Sequence, residues 1–215
     1  SYGSRMLLSD VTAAFAQGSL TALIGRNGTG KSTLLRAIAG LGTTVSGDVE
    51  LCGRRLASLT PHERATTVGF VTTDKVRIAT LPCRDVVALG RAPYTDWIGR
   101  MQAADRAAVD RALELVGMSA FARKTMDRMS DGECQRVMIA RALAQDTPVI
   151  LLDEPTAFLD LPNRYELASL LRRLARDEGK CILFSTHDLD IALSLCDAVA
   201  LIDTPSLHLL PAGAM

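Results

Sequence analysis

The stretch "SLTALIGRNGTGKSTLLRAIAG" at residues 19–40 decides the fold of this chain. Its first part, 19–25, is a short apolar run rich in residues that suit a β-strand, and its last part carries apolar residues at helical spacing before Gly40. Between them, "GRNGTGKST" (25–33) matches the pattern G-x-x-x-x-G-K-[ST]. The stretch therefore predicts a buried strand, a phosphate-binding loop and a helix, in that order.

The glycine-rich loop offers the groups that a phosphate requires. Glycines let backbone N–H groups turn inward around an anion, and the following helix adds partial positive charge. Lys31 adds a full charge toward the β- and γ-phosphates, and the hydroxyl of Ser32 can ligate Mg²⁺. A glycine turn that only caps a helix is the plainer alternative, and the flanking strand and helix argue against it. The predicted nucleotide-contacting residues are Gly25, Arg26, Asn27, Gly28, Thr29, Gly30, Lys31, Ser32 and Thr33.

Two acidic residues follow the apolar run in "VILLDEP" (149–155). Asp153 lies at the carboxyl end of a predicted strand, where ligands gather in open α/β sheets, so it is a candidate Mg²⁺ ligand. Side chains alternate along a strand, so Glu154 faces elsewhere and can polarise the water that attacks the γ-phosphate. The alternative is a strand that simply ends in polar turn residues.

His187 ends the next apolar strand, "CILFSTHD" (181–188). A lone histidine at a strand end is more often structural. Beyond the carboxyl edge of the same sheet, however, its imidazole could donate a hydrogen bond to the departing phosphoryl group. We therefore predict that His187, Glu154 and Lys31 form the catalytic set.

Short apolar strands alternate with helical patterns along most of the chain. Strands are predicted at 47–53, 66–73, 147–155, 180–188 and 198–203, and helices at 102–117 and 160–179, the latter capped by Asp160. This alternation is typical of a mainly parallel α/β sheet covered on both faces. We expect one domain over 1–215 with a helical insertion at 83–131.

Composition excludes several classes of protein. The 24 Lys and Arg balance the 24 Asp and Glu, which argues against a broad nucleic-acid-binding surface. Five scattered cysteines with no CxxC pair indicate free thiols in a reducing compartment. No apolar run approaches the ~20 residues of a membrane-spanning helix. We expect a cytoplasmic protein that could still dock on a membrane protein.

The segment "MSDGE" (129–133) places Ser130 and Gly132 at a second helix N-terminus with donors suited to an anion. The loop at 25–33 already serves the chain's own phosphates. A second anion-binding terminus makes sense if two copies face each other, each offering this segment to the nucleotide of the other.

The chain resembles the ATPase subunits of ABC transporters over essentially its whole length. The resemblance rests on five motifs in order: "GRNGTGKST", "MSDGECQR", "VILLDEP", "AFLD" (157–160) and "STHD" (185–188). It implies a P-loop α/β core with an N-terminal antiparallel β subdomain and a helical subdomain. It also implies a head-to-tail homodimer with two ATP molecules, each with Mg²⁺, between the copies.

Further site residues follow from the resemblance alone. It implies that Ser130, Gly132 and Glu133 bind the nucleotide of the partner copy, and that Asp160 lies in a loop crossing the dimer interface. Tyr2 matches the aromatic residue that stacks on adenine in the family, the alternative being a frayed terminal residue.

The sequence departs from the family at two places. Asp131 and Glu133 replace a Gly and a Gln of the usual LSGGQ signature, and carboxylates there should repel a γ-phosphate unless they point away or cap the helix. Thr73 stands where the family has a Gln that contacts Mg²⁺ and links to the membrane partner, and Thr cannot reach as far.

The segment "DVVALGRAPYTDWIGR" (85–100) is similar to that of ATPases from iron–siderophore, haem and cobalamin importers. In these proteins this face receives the permease, which makes Tyr94, Trp97 and Ile98 candidate exposed anchors; ordinary core packing is the alternative. We expect an ATPase that drives such an importer from the inner face of the cell membrane, without inserting into it. A soluble ABC ATPase acting on ribosomes or DNA is the alternative, and an unrelated kinase or GTPase would leave "MSDGE" unexplained.

Overall fold

The computed structural model describes residues 7–42, 46–72, 80–157 and 159–212. The chain divides into two compact units: Ser1–Thr73 together with Pro148–Met215, and Asp74–Thr147. Tyr2 and Thr73 lie outside the described residues. The roles predicted for these two side chains therefore stay predictions.

Strands and helices alternate around the central sheet, as the sequence pattern predicted. The strands are β1 Leu20–Ile24, β2 Glu50–Leu51, β3 Arg54–Arg55, β4 Val68–Val71, β5 Val149–Leu152, β6 Cys181–Thr186, β7 Ala198–Asp203 and β8 Ser206–Pro211. The α-helices are α1 Lys31–Ile38, α2 Pro61–Thr67, α3 Cys83–Ala88, α4 Ala103–Leu115, α5 Asp131–Ala144, α6 Leu161–Asp177 and α7 Leu189–Leu195. The exceptions to the alternation are β2–β3, α3–α4–α5 and β7–β8, which follow one another directly.

The first unit is built on a six-stranded sheet in the order β4-β5-β6-β1-β7-β8. All neighbours pair in parallel except β7 and β8, which are antiparallel. Every residue of β1 and of β5 is buried, which is typical of strands covered on both faces. The predicted mainly parallel α/β sheet is confirmed, and its carboxyl edge brings the loop after β1 near the ends of β5 and β6.

Three details of the prediction were wrong. The predicted strand at 47–53 is only the two residues of β2, because Cys52 and Gly53 turn the chain with φ of 51° and 74° into the short hairpin with β3. The predicted strand at 66–73 begins only at Val68, because Thr66 and Thr67 complete α2, which a Thr60–Glu63 capping box starts. The predicted strand at 198–203 is followed by a further strand that was not predicted, since β8 pairs back on it.

The second unit contains α3, α4 and α5, with a 3₁₀ turn at Leu89–Tyr94. The buried Arg91 ties this turn to both longer helices: its Nε lies 3.0 Å from Oδ1 of Asp105, and its Nη1 donates to the carbonyl of Ala144 at 2.8 Å. The unit extends beyond the predicted insertion at 83–131, because α5 packs against α3 and α4. In the part of the chain that the structure describes, none of the helices has the length and hydrophobicity of a membrane span.

Candidate nucleotide-binding site

The loop between β1 and α1 has the backbone shape that its glycines permit. Gly28 and Gly30 have φ of 81° and 100°, in the left-handed region that other residues rarely adopt. A Cβ on Gly25 would lie 2.7 Å from Oγ1 of Thr29 and 3.1 Å from Cβ of Ile202. The loop could not keep this shape with ordinary side chains at these positions.

Lys31 is the first residue of α1, and its side chain lies back over the loop. Only 6% of it is exposed, and its Nζ donates to the carbonyls of Gly25 at 2.9 Å and Arg26 at 3.4 Å. The same Nζ is 3.8 Å from Oε1 of Glu154. The predicted phosphate-binding lysine and the predicted base therefore lie side by side.

A hydrogen-bond network joins α1 to the ends of β5 and β6. Ser32 Oγ donates to Oδ1 of Asp153 at 2.9 Å, and Ser185 Oγ donates to the same oxygen at 2.8 Å. The backbone N–H of Glu154 donates to Ser185 Oγ at 2.8 Å. Asp153 and Ser185 are 4% and 0% exposed. One buried hydroxyl thus holds both predicted acidic residues in place.

Ser185 was not predicted as a site residue, although it is the first residue of the motif "STHD" (185–188). The signal was available in the strand pairing: Leu152 of β5 lies opposite Phe184 of β6, so the residues that follow each are neighbours. A polar residue directly after Phe184 is therefore a candidate partner for Asp153.

The hydroxyl of Ser32 and the carboxylate of Asp153 suit Mg²⁺. This cation binds oxygen and is usually held by one or two protein carboxylates together with substrate phosphates and waters. Among the described residues, no group of three or more His, Cys, Asp or Glu could hold a metal. Two oxygen ligands beside a phosphate-binding loop are too few to hold a metal ion alone. They fit a metal ion that binds together with a nucleotide, whose phosphates supply further ligands.

Glu154 differs from Asp153 in backbone and exposure. Its φ is 44°, a left-handed value uncommon outside glycine, and 27% of its side chain is exposed. Asp153 is buried. The buried carboxylate is suited to fixed ligation, and the accessible one to contact with water.

His187 and Asp160 lie in loops of the same unit. His187 is exposed and directly follows the last residue of β6. Asp160 is confirmed as the N-cap of α6, since its Oδ1 accepts from the backbone N–H of Asn163 at 3.2 Å. Arg164 Nε donates to the carbonyl of Leu159 at 2.7 Å, which restrains the loop just before that cap.

The N-terminus of α5, in the second unit, is closed by a capping box. The backbone N–H of Glu133 donates to Ser130 Oγ at 3.2 Å, and that of Ser130 donates to Oε2 of Glu133 at 2.8 Å. Lys124 Nζ lies 2.9 and 3.1 Å from the two carboxylate oxygens of Glu133 and holds the pKa of this group below its usual range. Of the two arrangements that the sequence left open for these acids, Glu133 adopts the one in which it takes part in the helix cap, while Ser130 stays exposed.

The three predicted anchor residues of the second unit are exposed to different degrees. Trp97 is 94% exposed, Ile98 55% and Tyr94 37%. The Tyr94 hydroxyl donates to the carbonyl of Gln145 at 3.0 Å, and the Arg91 guanidinium lies 3.8 Å from the centre of its ring. The alternative that these residues pack in the core is therefore wrong for Trp97 and Ile98. Tyr94 is held in place by its contacts with Gln145 and Arg91.

Comparisons with known proteins agree with this geometry. A family model described as ABC transporter matches residues 8–157. The chain is 39% identical to an uncharacterized ABC transporter ATP-binding protein of Methanocaldococcus jannaschii, over 94% of this chain and 69% of that protein. It is 39% identical to the cobalamin import ATP-binding protein of Halobacterium salinarum, over 94% of this chain but only 50% of that protein. It is 36% identical to the iron(3+)-hydroxamate import ATP-binding protein of Bacillus subtilis, over 89% and 71%.

Solved structures give the same result. A metal-chelate type ABC transporter in an inward-facing conformation superposes with a TM-score of 0.78 at 27% identity, over 91% of this chain and 73% of that chain. A dimeric ATP-binding cassette bound to ADP and Pi superposes with a TM-score of 0.81 at 26% identity, over 97% and 92%. The motif order, the sheet and these matches show that the chain belongs to the ABC transporter family, as one of its ATP-binding cassettes.

Proposed function

We propose that this chain is the ATP-hydrolysing subunit of an importer and drives uptake of an iron–siderophore, haem or cobalamin-like substrate through a membrane permease. The observation that carries the proposal is the network joining Ser32, Asp153 and Ser185 beside Lys31 and Glu154. Relatives named for cobalamin, iron(3+)-hydroxamate and hemin import support the cargo class.

The reaction assigns one role to each side chain. Lys31 and the loop N–H groups bind the β- and γ-phosphates, and Ser32 and Asp153 would hold Mg²⁺. Bound Mg²⁺ supplies positive charge that neutralises charge developing on the phosphate oxygens. Glu154 orients a water toward the γ-phosphorus and accepts its proton, and the bond from the γ-phosphorus to the bridging oxygen breaks to leave ADP and phosphate. His187 donates a hydrogen bond to the transferred group.

The active form is a head-to-tail homodimer. Ser130, Gly132 and Glu133 form the tip of α5 that meets the nucleotide of the second copy, Asp160 lies at the interface, and Tyr2 stacks on adenine. The exposed position of Ser130 and the dimeric cassette among the structural neighbours support this arrangement.

The surface around Tyr94, Trp97 and Ile98 docks on the permease, which holds the subunit at the inner face of the membrane. A tryptophan exposed to 94% beside an exposed isoleucine is costly to leave in water and is typical of a protein-interaction site. The chain itself needs no membrane insertion for this contact.

Glu154→Gln tests the catalytic part of the proposal. The amide cannot accept the proton, so hydrolysis should fall by about 100-fold or more and ATP should accumulate at the shared sites. Size exclusion with and without Mg-ATP should show a dimer only with nucleotide. Glu114→Gln, on the exposed face of α4, removes a carboxylate of the same kind and should behave like wild type. A Glu154→Gln chain that stays monomeric and still hydrolyses ATP would contradict the proposal.

Uptake of iron(3+)-hydroxamate, hemin and cobalamin, measured in cells with and without the chain, tests the cargo. We expect uptake of one of these to require the wild-type chain and to be lost with Glu154→Gln. ATP hydrolysis stimulated by ribosomes or DNA, with all three uptakes unaffected, would instead support the soluble non-transport ATPase.

A further inference from the structure

The first turn of α5 carries negative charge that would repel a nucleotide bound in front of it. Asp131 and Glu133 both lie in the first turn of this helix, where the resemblance places a Gly and a Gln. Two carboxylates facing an anionic polyphosphate would oppose the attraction of the helix N-terminus. Some group in this chain must therefore offset that negative charge.

Lys124 lies where it can do so. Its Nζ contacts both oxygens of Glu133, at 2.9 and 3.1 Å, and the two side chains are 31% and 24% exposed. Partial burial weakens the screening of this pair by water. The Nζ also lies 5.0 Å from the centre of the Phe121 ring, which helps to hold the lysine in place.

The carboxylate is also fixed from its other side. Its Oε2 accepts the backbone N–H of Ser130 at 2.8 Å, within the capping box. Glu133 therefore has Lys124 on one side and the cap on the other, and it cannot swing freely toward a ligand in front of Ser130. The contact with Lys124, followed by the bond from the Ser130 backbone N–H, lowers the pKa of this carboxyl and favours its ionised form, so its charge has to be balanced rather than removed.

We infer that Lys124 is a positioning residue: by neutralising Glu133 it lets the N-terminus of α5 accept the polyphosphate of a nucleotide held by a second copy. The inference rests on the proposed ATP-bound homodimer. It assigns a role in nucleotide-driven assembly to a lysine that lies outside the signature motif, and it explains how a glutamate can stand at this signature position.

Dimer formation in the Glu154→Gln background tests this role, because hydrolysis does not deplete the ATP there. Lys124→Met should weaken Mg-ATP-driven dimerisation about tenfold, as expected for one uncompensated charge in a partly exposed site. Adding Glu133→Gln to Lys124→Met should return the dimer affinity to that of Glu133→Gln alone. Lys124→Arg should keep most of the affinity. Arg123→Met, which removes a neighbouring exposed charge, is the matched control.

Salt dependence separates charge compensation from a purely structural role. The defect of Lys124→Met should shrink as ionic strength rises, because the repulsion is screened, whereas a folding defect would appear as a lower thermal midpoint without nucleotide. An unchanged dimer affinity in Lys124→Met, or a defect that Glu133→Gln does not repair, would overturn the inference and leave the proposed function standing. Failure of the parent Glu154→Gln chain to dimerise with Mg-ATP would overturn the proposed function itself, and this inference with it.

Discussion

Lys31 Nζ lies 3.8 Å from Oε1 of Glu154, so the phosphate-binding lysine and the general base of the proposed reaction are paired with each other. The lysine is 6% exposed and the glutamate side chain 27%. An arriving γ-phosphate would compete with Glu154 for the same ammonium group. Binding of the nucleotide would thereby free the carboxylate to orient water, which couples substrate binding to activation of the base.

Lys31→Met should abolish tight ATP binding. Methionine is of similar length but lacks the charge that the phosphates attract, so affinity should fall by about 100-fold, or ~2.7 kcal/mol. Titration of a fluorescent ATP analogue measures this loss. Lys180→Met removes a lysine just before β6, at the amino end of that strand and away from the phosphate loop, and should leave the affinity intact. Equal affinity in Lys31→Met and wild type would disprove the assigned role.

Ser185→Ala should disturb both acidic residues at once. The backbone N–H of Glu154 would lose its acceptor and Asp153 would lose one donor, at a cost of about 1–3 kcal/mol in the free energy of unfolding. Misplacement of Glu154 should lower kcat about tenfold or more. Urea denaturation and a Mg²⁺ titration of hydrolysis measure the two effects.

Ser32→Ala separates the effect of Ser185 on the metal site from its effect on Glu154. It removes the other hydroxyl on Asp153 Oδ1 but leaves the bond to the Glu154 N–H in place. We expect it to raise the Mg²⁺ concentration needed for hydrolysis without the same loss of stability. Identical profiles for the two variants would show that Ser185 acts only as part of the metal site.

Gly90→Ala should destabilise the second unit. A Cβ there would lie 2.1 Å from the carbonyl oxygen of Arg141, closer than any van der Waals contact, so the 3₁₀ turn and α5 would have to separate. We expect a loss of about 3 kcal/mol or more in the free energy of unfolding, measured by urea denaturation. Gly99→Ala, where a Cβ would meet nothing within 4 Å but φ is 77°, should cost only about 1 kcal/mol. Similar losses at both positions would contradict this packing argument.

Glu63 should make the capping box of α2 sensitive to acid. The Thr60 backbone N–H, followed by the Arg54 guanidinium, lowers the pKa of Glu63 from 4.5 to about 2. A pKa lower in the folded than in the unfolded state stabilises the fold above pH 4.5, and this contribution is lost as pH falls toward 2. The difference in the free energy of unfolding between wild type and Glu63→Gln should therefore be constant above about pH 5 and shrink below it. A difference that does not vary over this range would refute the linkage.

Local signals carried most of the predicted fold. The loop at 25–33 was recognisable because its glycines, lysine and serine are adjacent in sequence, and β1, β5 and β6 because they are unbroken apolar runs. The strand β8 and the helix α2 were missed. No residue of β8 is buried, and the strand is held by pairing with β7. The helix α2 has seven residues and begins at a capping box rather than at an apolar stripe.

The sequence by itself determined the phosphate loop and the acidic pair after β5, because each depends on residues within a few positions of one another. The order of the motifs is read directly along the chain. Only the tertiary structure decided that Ser32 and Ser185, 121 and 32 residues from Asp153, donate to the same carboxylate oxygen. It also decided that Lys124 balances Glu133. The register of β5 on β6 and the packing in the second unit create these contacts, and both arise only when distant segments bury their apolar faces together.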